Sequence, residues 1–454
     1  MKQEKSTHEP QNLLILAYFY PPIKIIAVLR SYYFSQNIRA YFSDVHVVTT
    51  TNRRRLPTEN LPNAEGVKIH EAWTFDYRTL ASLRRHETVG FDENAKKSRL
   101  AKFIIKLNKS FPTNLLWGEG GLVYILHSFF IAAKLIRRQK IRTVYSSFSP
   151  YADHVVARLL KVFFPKLRWI ADFRDLHVEP HYDIVYWRGF QHWCNRQILK
   201  KADLVTTVSE GLAQHLRAYH PKVYVFRNGI APVFLDTDNP FDPQNIGSTD
   251  SLLNEKNKQA AKPKFTIGYT GSMYGDERNP ELLLKVVRDL AAEGILSPDN
   301  FQILYAGKDT ALWLAWISRF DLLSFFTSRG LVSLKEARQL QENSHINLLL
   351  TSATQEWTGV MTGKFYEYLS AQKPVVVLIN GVQDIEFESV VADLSAGIVV
   401  YHERSYAALR SFVLENFNHF QKKGFVQKTI QVEKLKNMGW PATIEKFVET
   451  VYQS

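Results

Sequence analysis

Residues 13–20 read LLILAYFY and run directly into Pro21-Pro22. A short unbroken apolar run stopped by two prolines reads as a buried strand leaving a parallel sheet at its carboxyl edge. Val45–Thr50 (VHVVTT) is a second strand of this kind, and the helical spacing of Ala27–Arg39 between them makes the opening a βαβ unit. The alternation returns with strands at Thr143–Ser147, Trp169–Asp172, Leu204–Val208 and Tyr224–Phe226, and helical segments at Tyr151–Phe164, Tyr186–Lys201 and Gly211–Tyr219. One doubly wound α/β domain is therefore expected over 11–235. Residues 236–262 are polar, rich in Asn and Asp and weakly periodic, and read as a linker or surface insertion. The rhythm then restarts, with strands at Phe265–Thr270, Phe301–Ala306, Ile346–Thr351 and Pro374–Ile379 and helices at Pro280–Glu293, Leu334–Asn343 and Gly363–Ala371. This predicts a second domain over 263–400, followed by a helical segment, 401–454, that closes the fold. Two such domains are expected to bind ligands where the carboxyl edges of their sheets face a cleft.

The chain has 454 residues, 45% apolar and 13% aromatic, which excludes a disordered or low-complexity chain and is too long for one ordinary core. Its single cysteine, Cys194, cannot form an internal disulfide or a cysteine-based zinc site, so a reducing, cytoplasmic compartment fits best. The polar start MKQEKSTHEPQ and the brevity of the apolar runs, Gly120–Ala133 included, predict neither a secretory leader nor a spanning helix. Charge is uneven: residues 1–235 hold 35 Lys and Arg against 18 Asp and Glu, leaving 22 against 26 in the remainder. The front half suits an anionic surface or ligand, either phospholipid or nucleic acid, or is simply a solvated basic face.

The chemistry concentrates in TGVMTGKFYEYLSA, Thr358–Ala371, followed by Gln372-Lys373-Pro374 and a Val-rich strand. A helix beginning near Thr362 or Gly363 presents unbonded N–H groups and a positive dipole end, and the glycines let a phosphate approach the backbone. Lys364 in the first turn is a cation where the dipole alone favours an anion, which makes sense around a bound phosphate. Glu367, one turn on, is placed to accept hydrogen bonds from ribose or sugar hydroxyls. An ordinary amphipathic helix fits the same spacing.

The stretch TGKFYEYLSAQKPVV resembles the donor-site helix of glycosyltransferase family 4 and its relatives, GT-B enzymes with two Rossmann-like domains. AYFYPP with Arg30 behind it, YSSFSPYADH, WIADFRD, ADLVTTVSEGL, RNGI and YTGSMYGDERNPELLL agree, in order, over nearly the whole chain. The resemblance implies transfer of a sugar from a nucleotide-sugar to a glycan or lipid-linked acceptor, in cell-surface polysaccharide or glycoconjugate synthesis. Retention at the anomeric carbon and no obligatory metal or cofactor are implied with it. Donor binding is then expected at Gly271, Ser272, Arg278, Thr358, Gly359, Thr362, Gly363, Lys364 and Glu367, where the helix terminus, Lys364 and Arg278 would stabilise the departing diphosphate. Many relatives carry two glutamates eight positions apart; Glu367 fits the second, and the first falls on Gly359. Thr358, the Gly359–Met361 backbone or Glu356 is left to hold the donor sugar. The turn after the first strand, Pro21–Ala27, lacks the glycines that relatives have there.

In the first domain Asp172, Arg174 and Asp175 directly follow a strand, the position from which side chains reach a cleft. Asp172 could orient an acceptor hydroxyl and take its proton, with Arg174 holding carboxylates or an acceptor phosphate; an internally paired cluster is the other arrangement. His154 fits a sugar contact or a structural histidine. Arg30 and Asp175 are candidates for the acceptor, with a salt-bridged helix arginine as the alternative for Arg30. Asn228-Gly229 is expected only to turn the chain.

Asp236-Thr237-Asp238 has the spacing of a metal-binding Asp-x-Asp but lies in an acidic linker without supporting ligands, so no metal is expected there. Zinc spacings, a P-loop and a nucleophile elbow are missing from the sequence. Lys96–Lys140 combines basic and aromatic faces that suit peripheral contact with the inner face of an anionic membrane, or core helices with a basic exterior. A noncatalytic nucleotide-sugar- or glycan-binding protein on the same fold is the alternative to a transferase, and nucleic-acid binding is the least supported reading because no module for it is recognisable.

Overall fold

The computed structural model describes residues 11–23, 26–51, 66–74, 99–117, 120–178, 184–230, 263–273, 276–355, 357–427 and 429–453. The expected linker 236–262, with Asp236 and Asp238, and Glu356 lie outside the described residues. The chain divides into two compact units, Met1–Asn228 with Trp440–Ser454, and Gly229–Gly439.

The first unit carries seven parallel strands: β1 (Leu13–Leu16), β2 (Val45–Thr50), β3 (Val67–Ala72), β4 (Thr143–Phe148), β5 (Arg168–Phe173), β6 (Leu204–Thr207) and β7 (Val223–Val225), in the spatial order 3-2-1-4-5-6-7. In register, Leu13 lies between Val45 and Thr143. The order reverses between β1 and β4, the topological switch point of a doubly wound sheet. β1, β2 and β4 are buried along their whole length because helices cover both faces, which is why they read as unbroken apolar runs. One face takes the helices Ile26–Ile38 and Trp440–Gln453: Phe34 stacks on Tyr145 at 4.1 Å, and Phe447 meets Phe34 and Phe226 edge-on at 5.0 Å each.

The tail therefore does not act as one closing segment. Tyr406–Lys423 packs into the second unit through Leu409, Val413 and Phe417, whereas Trp440, Ile444, Phe447 and Val451 complete the first core. The spacing of those four residues makes the stripe that Phe34 and Tyr145 would otherwise expose to water, and each large side chain so buried contributes about 1.5–3 kcal/mol.

The second unit has six parallel strands: β8 (Phe265–Thr270), β9 (Phe301–Ala306), β10 (Phe326–Ser328), β11 (Ile346–Ala353), β12 (Val375–Gly381) and β13 (Gly397–Val400), in the order 10-9-8-11-12-13. Helices Glu281–Ala292 and Tyr406–Lys423 share a core on one face, and Gly363–Ser370 and Ile385–Asp393 share one on the other. Its switch point lies between β8 and β11, beside the helix Gly363–Ser370.

Candidate functional site

The helix Gly363–Ser370 opens in the manner the sequence suggests, and its N-terminus is left chemically open. Thr362 stands at the N-cap with extended backbone, and among the described residues it makes no capping bond and its buried hydroxyl finds no partner. The Gly363 N–H meets no acceptor among the described residues. Phe365 and Leu369 enter the core on the other side and fix the helix in place. Its carboxyl end is closed: Arg338 donates to the Glu367 carbonyl at 3.0 Å and the Ser370 carbonyl at 2.8 Å, a cation at the negative end of the dipole.

Lys364 folds back over the end of β8. Its Nζ donates to the Ser272 carbonyl at 3.2 Å and the Tyr269 hydroxyl at 3.3 Å, and lies 5.0 Å from the centre of the Tyr269 ring. Gly271 makes this possible: it has φ +118°, and a β-carbon there would lie 2.3 Å from both Cε and Nζ of Lys364. The turn is braced on both sides, since Tyr269 donates to the Ser272 carbonyl at 2.6 Å and Tyr305 to the Gly271 carbonyl at 3.0 Å. Burial pushes the Lys364 ammonium down to about 8, against the pull of Glu367 and Asp309, and Arg278 adds to the lowering. Arg278, at the end of the short turn Asp276–Arg278, is thus within electrostatic reach of Lys364. The structure brings Gly271, Ser272, Arg278, Thr362, Gly363, Lys364 and Glu367 to one corner.

Glu367 is held from behind: Gln341 donates to its Oε2 at 3.2 Å and to the Thr270 hydroxyl at 2.9 Å. Burial raises its carboxyl pKa, while Gln341, Lys364 and Arg338 oppose that shift. Tyr368 ties the helix to β8 by accepting the Thr270 N–H at 3.0 Å.

Gly359 has φ +71°, in the region glycine favours, and Asp384 accepts its N–H at 2.7 Å. Asp384 also caps the helix Ile385–Asp393 by accepting the Phe387 N–H at 3.0 Å, so one carboxylate pins the 357–362 loop to a helix start. A β-carbon at 359 would fall 1.9 Å from Oε2 of Glu386. The space next to position 359, where the resemblance leads us to expect a glutamate, is filled by a carboxylate from another element. Sequence reasoning missed Glu386, Asp384 and Gln341; the Asp-x-Glu at a helix start after β12 is the local signal for the first two. Thr358 is half-buried in the same loop.

The first unit departs from expectation. Asp172 takes the internally paired arrangement: it is 0% exposed and accepts from Arg30 Nε at 2.9 Å, Arg30 Nη2 at 2.7 Å and the Thr206 hydroxyl at 2.8 Å. Burial alone would raise its pKa, and Arg30 reverses this, holding the carboxyl below the ordinary range. Arg30 is 6% exposed and also donates from Nη1 to Asn228 Oδ1 at 3.0 Å. Burial works against its charge and Asp172 overrides that, raising its pKa. Asn228, expected only to turn the chain, is therefore a hydrogen-bond partner of Arg30.

His154 is 0% exposed, with Nδ1 2.7 Å from the Ser146 hydroxyl, which itself accepts from Trp169 Nε1 at 2.8 Å. Burial takes its pKa down to about 3, so the ring is neutral and part of the core. Arg174 donates to the Phe148 and Ser149 carbonyls at 2.8 and 3.2 Å and so clamps the loop after β4; Asp175 is exposed. Asp153, unremarked in the sequence, accepts the Tyr18 N–H at 2.8 Å and the Tyr124 hydroxyl at 2.7 Å and pins the turn after β1. Among the described residues no group of three or more His, Cys, Asp or Glu could hold a metal ion, and no helix is long and apolar enough to cross a membrane.

No known protein family and no curated protein sequence matches the chain. Solved structures do. A sucrose-phosphate synthase from Thermosynechococcus elongatus superposes with a TM-score of 0.57 at 10% identity, over 98% of each chain. The lipopolysaccharide outer core galactosyltransferase WaaB gives 0.53 at 9% identity, over 98% of this chain and 99% of that one. A trehalose-6-phosphate protein from E. coli, bound with UDP-2-fluoro glucose, gives 0.55 at 11% identity over 98% and 99%. The chain has the GT-B fold, with two parallel α/β domains. At this identity the likeness extends to the fold alone.

Proposed function

We propose that this chain is a glycosyltransferase that moves a sugar from a nucleoside-diphosphate donor to a glycan or lipid-linked acceptor, in the synthesis of a cell-surface polysaccharide or other glycoconjugate. The observation that carries this reading is the open N-terminus of the helix Gly363–Ser370, where the Thr362 hydroxyl has no partner among the described residues and the next side chain in the first turn, Lys364, holds its ammonium over Gly271. Such a corner is complementary to the charge that develops on a departing diphosphate, with Arg278 as the second cation. In this reading the two cations and the helix terminus do what a divalent ion does elsewhere, and no metal or other cofactor is required. Glu367 and Glu386 then take hydroxyl groups of the donor, Glu386 in place of the acid that position 359 lacks.

The acceptor falls to the first unit. With Asp172 locked to Arg30, the acceptor proton needs another base, and under retention the nearest one is an oxygen of the diphosphate leaving from the same face of the sugar. The bond from the anomeric carbon to the diphosphate oxygen breaks, the bond to the acceptor oxygen forms, and the proton passes to the diphosphate. A noncatalytic nucleotide-sugar-binding protein is the second reading, favoured by the burial of Asp172 and His154. A panel of nucleotide-sugars read by thermal shift, then mass analysis of products with the donor that binds, separates them. Stabilisation followed by transfer or slow donor hydrolysis supports the enzyme. Stabilisation without cleavage supports the binder, and no stabilisation by any donor overturns both.

A further inference from the structure

We propose that four helices of the first unit, Arg99–Lys109, Thr113–Leu116, Leu122–Arg138 and Arg188–Leu199, form a face that docks onto an anionic lipid surface. The first observation is apolar exposure. Of the 22 large apolar side chains exposed among the described residues, eleven lie on these helices or at their caps, so exposure is concentrated rather than scattered. The second unit has only five, on five separate segments. On Leu122–Arg138 the residues Leu122, Leu126 and Phe130 follow one another at four-residue steps along the outward side, while Tyr124, Ser128 and Ala132 are buried on the other. Trp117 and Trp187, at 56% and 64% exposed, are amphipathic side chains suited to the headgroup level.

The helices adjoin. Phe103 packs on Tyr186 at 5.6 Å, with Lys106 Nζ 4.6 Å above the same ring, and Tyr186 leads into Trp187 at 5.9 Å. The Tyr186 N–H bonds to Ser110 and the Phe111 N–H to Gln191, each at 2.7 Å, so the first and last of these helices are joined through buried polar groups. The face is built, not assembled from independent loops.

Charge selects the occupant. The four helices contain no Asp or Glu, and they carry four Lys and Arg on the first, three on the third and two on the fourth. An interface between copies would set these cations against one another across the contact, whereas a leaflet of anionic phospholipid supplies their counter-charge and takes the aromatic side chains into its interfacial layer. The expectation drawn from the sequence covered 96–140; the helix Arg188–Leu199, brought in by the fold, completes the surface. This proposal does not depend on the reaction assigned above.

The test is co-sedimentation of the full chain with phosphatidylcholine vesicles, with and without about one-third phosphatidylglycerol. The protein is expected to pellet with the anionic vesicles, to stay in solution with the neutral ones, and to be released as salt is raised. A Phe130→Glu, Trp187→Glu double variant with an unchanged melting temperature is expected to lose about tenfold or more in partitioning, and Phe130→Leu to keep it. Independently of any variant, brominated anionic lipid is expected to quench the tryptophan emission of the wild-type protein. Wild-type protein left in solution by anionic vesicles, absence of quenching, or equal pelleting of the double variant would each overturn the proposal. So would a lipid-free dimer that the double variant dissociates, which would assign the face to a second copy of the chain.

Discussion

At the carboxyl edge of the first sheet Arg30 and Asp172 neutralise each other inside the core, with Thr206 and Asn228 completing their hydrogen bonds. At the matching edge of the second sheet Lys364 lies over a glycine turn, its bonds to the Ser272 carbonyl and the Tyr269 hydroxyl both longer than 3 Å, beside a helix end whose threonine makes no cap. Both regions put charged side chains where doubly wound sheets bind ligands. The comparison teaches that position nominates a residue and pairing decides its role. A buried charge met by an opposite charge within hydrogen-bond distance holds the fold together, and a buried cation bonded to neutral oxygens beside unsatisfied helix donors suits an anionic ligand.

The largest effect belongs to the satisfied pair. Asp172→Ala leaves a buried guanidinium without its counter-charge and is expected to cost about 3–5 kcal/mol in urea unfolding. A loss below about 1 kcal/mol would mean that the pair is not what holds that edge, and the contrast drawn above would fail.

Next come Lys364→Ala and Glu367→Ala, each expected to lower donor affinity or turnover by about tenfold or more while leaving the melting temperature unchanged. Unchanged titration and kinetic curves in both variants would remove the second region from function.

Acidity sharpens the same point. An ammonium with a pKa of about 8 is charged below that pH and neutral above it, and a bound diphosphate favours the charged form. Diphosphate affinity is therefore full below pH 8 and falls above it, by at most about tenfold per pH unit. Lys364→Arg, whose charge persists, is expected to flatten that slope in calorimetric titrations from pH 6 to about 9.5. A wild-type slope equal to that of the variant would show that Lys364 does not titrate against the ligand.

The smallest effect is assigned to Glu386→Gln. Loss of one charged acceptor should weaken nucleotide-sugar binding by roughly two- to tenfold and leave the free nucleoside diphosphate unaffected. Equal losses for both ligands would place Glu386 against phosphate or in the scaffold, not against the sugar.

Much of the fold was legible because the central strands are buried on both faces. Val45–Thr50, Phe265–Thr270 and Phe301–Ala306 read from their apolar runs with the bounds they have. Val67–Ala72 did not, since it is an edge strand, mostly accessible along VKIHEA, and too polar to give an apolar run. Leu13–Tyr20 was read as strand throughout, whereas only Leu13–Leu16 joins the ladder; Ala17–Tyr20 is equally apolar because the turn after β1 is buried too. At the site, Thr362, Gly363 and Lys364 were readable because a helix start is a local feature. Glu386, Gln341 and Asp153 arrive from other elements, and no spacing along the chain reports such neighbours. The internal pairing of Asp172 stood only as the alternative, and its partner could not be named because Arg30 is 142 positions away.

A crystal structure of the protein grown with a nucleoside diphosphate tests the central claim most directly. The account places diphosphate oxygens within hydrogen-bond distance of the Gly363 N–H and the Thr362 hydroxyl, with Lys364 Nζ turned from the Ser272 carbonyl toward them. A nucleotide seated elsewhere in the molecule, with Lys364 still on Ser272 and the helix end untouched, would contradict it.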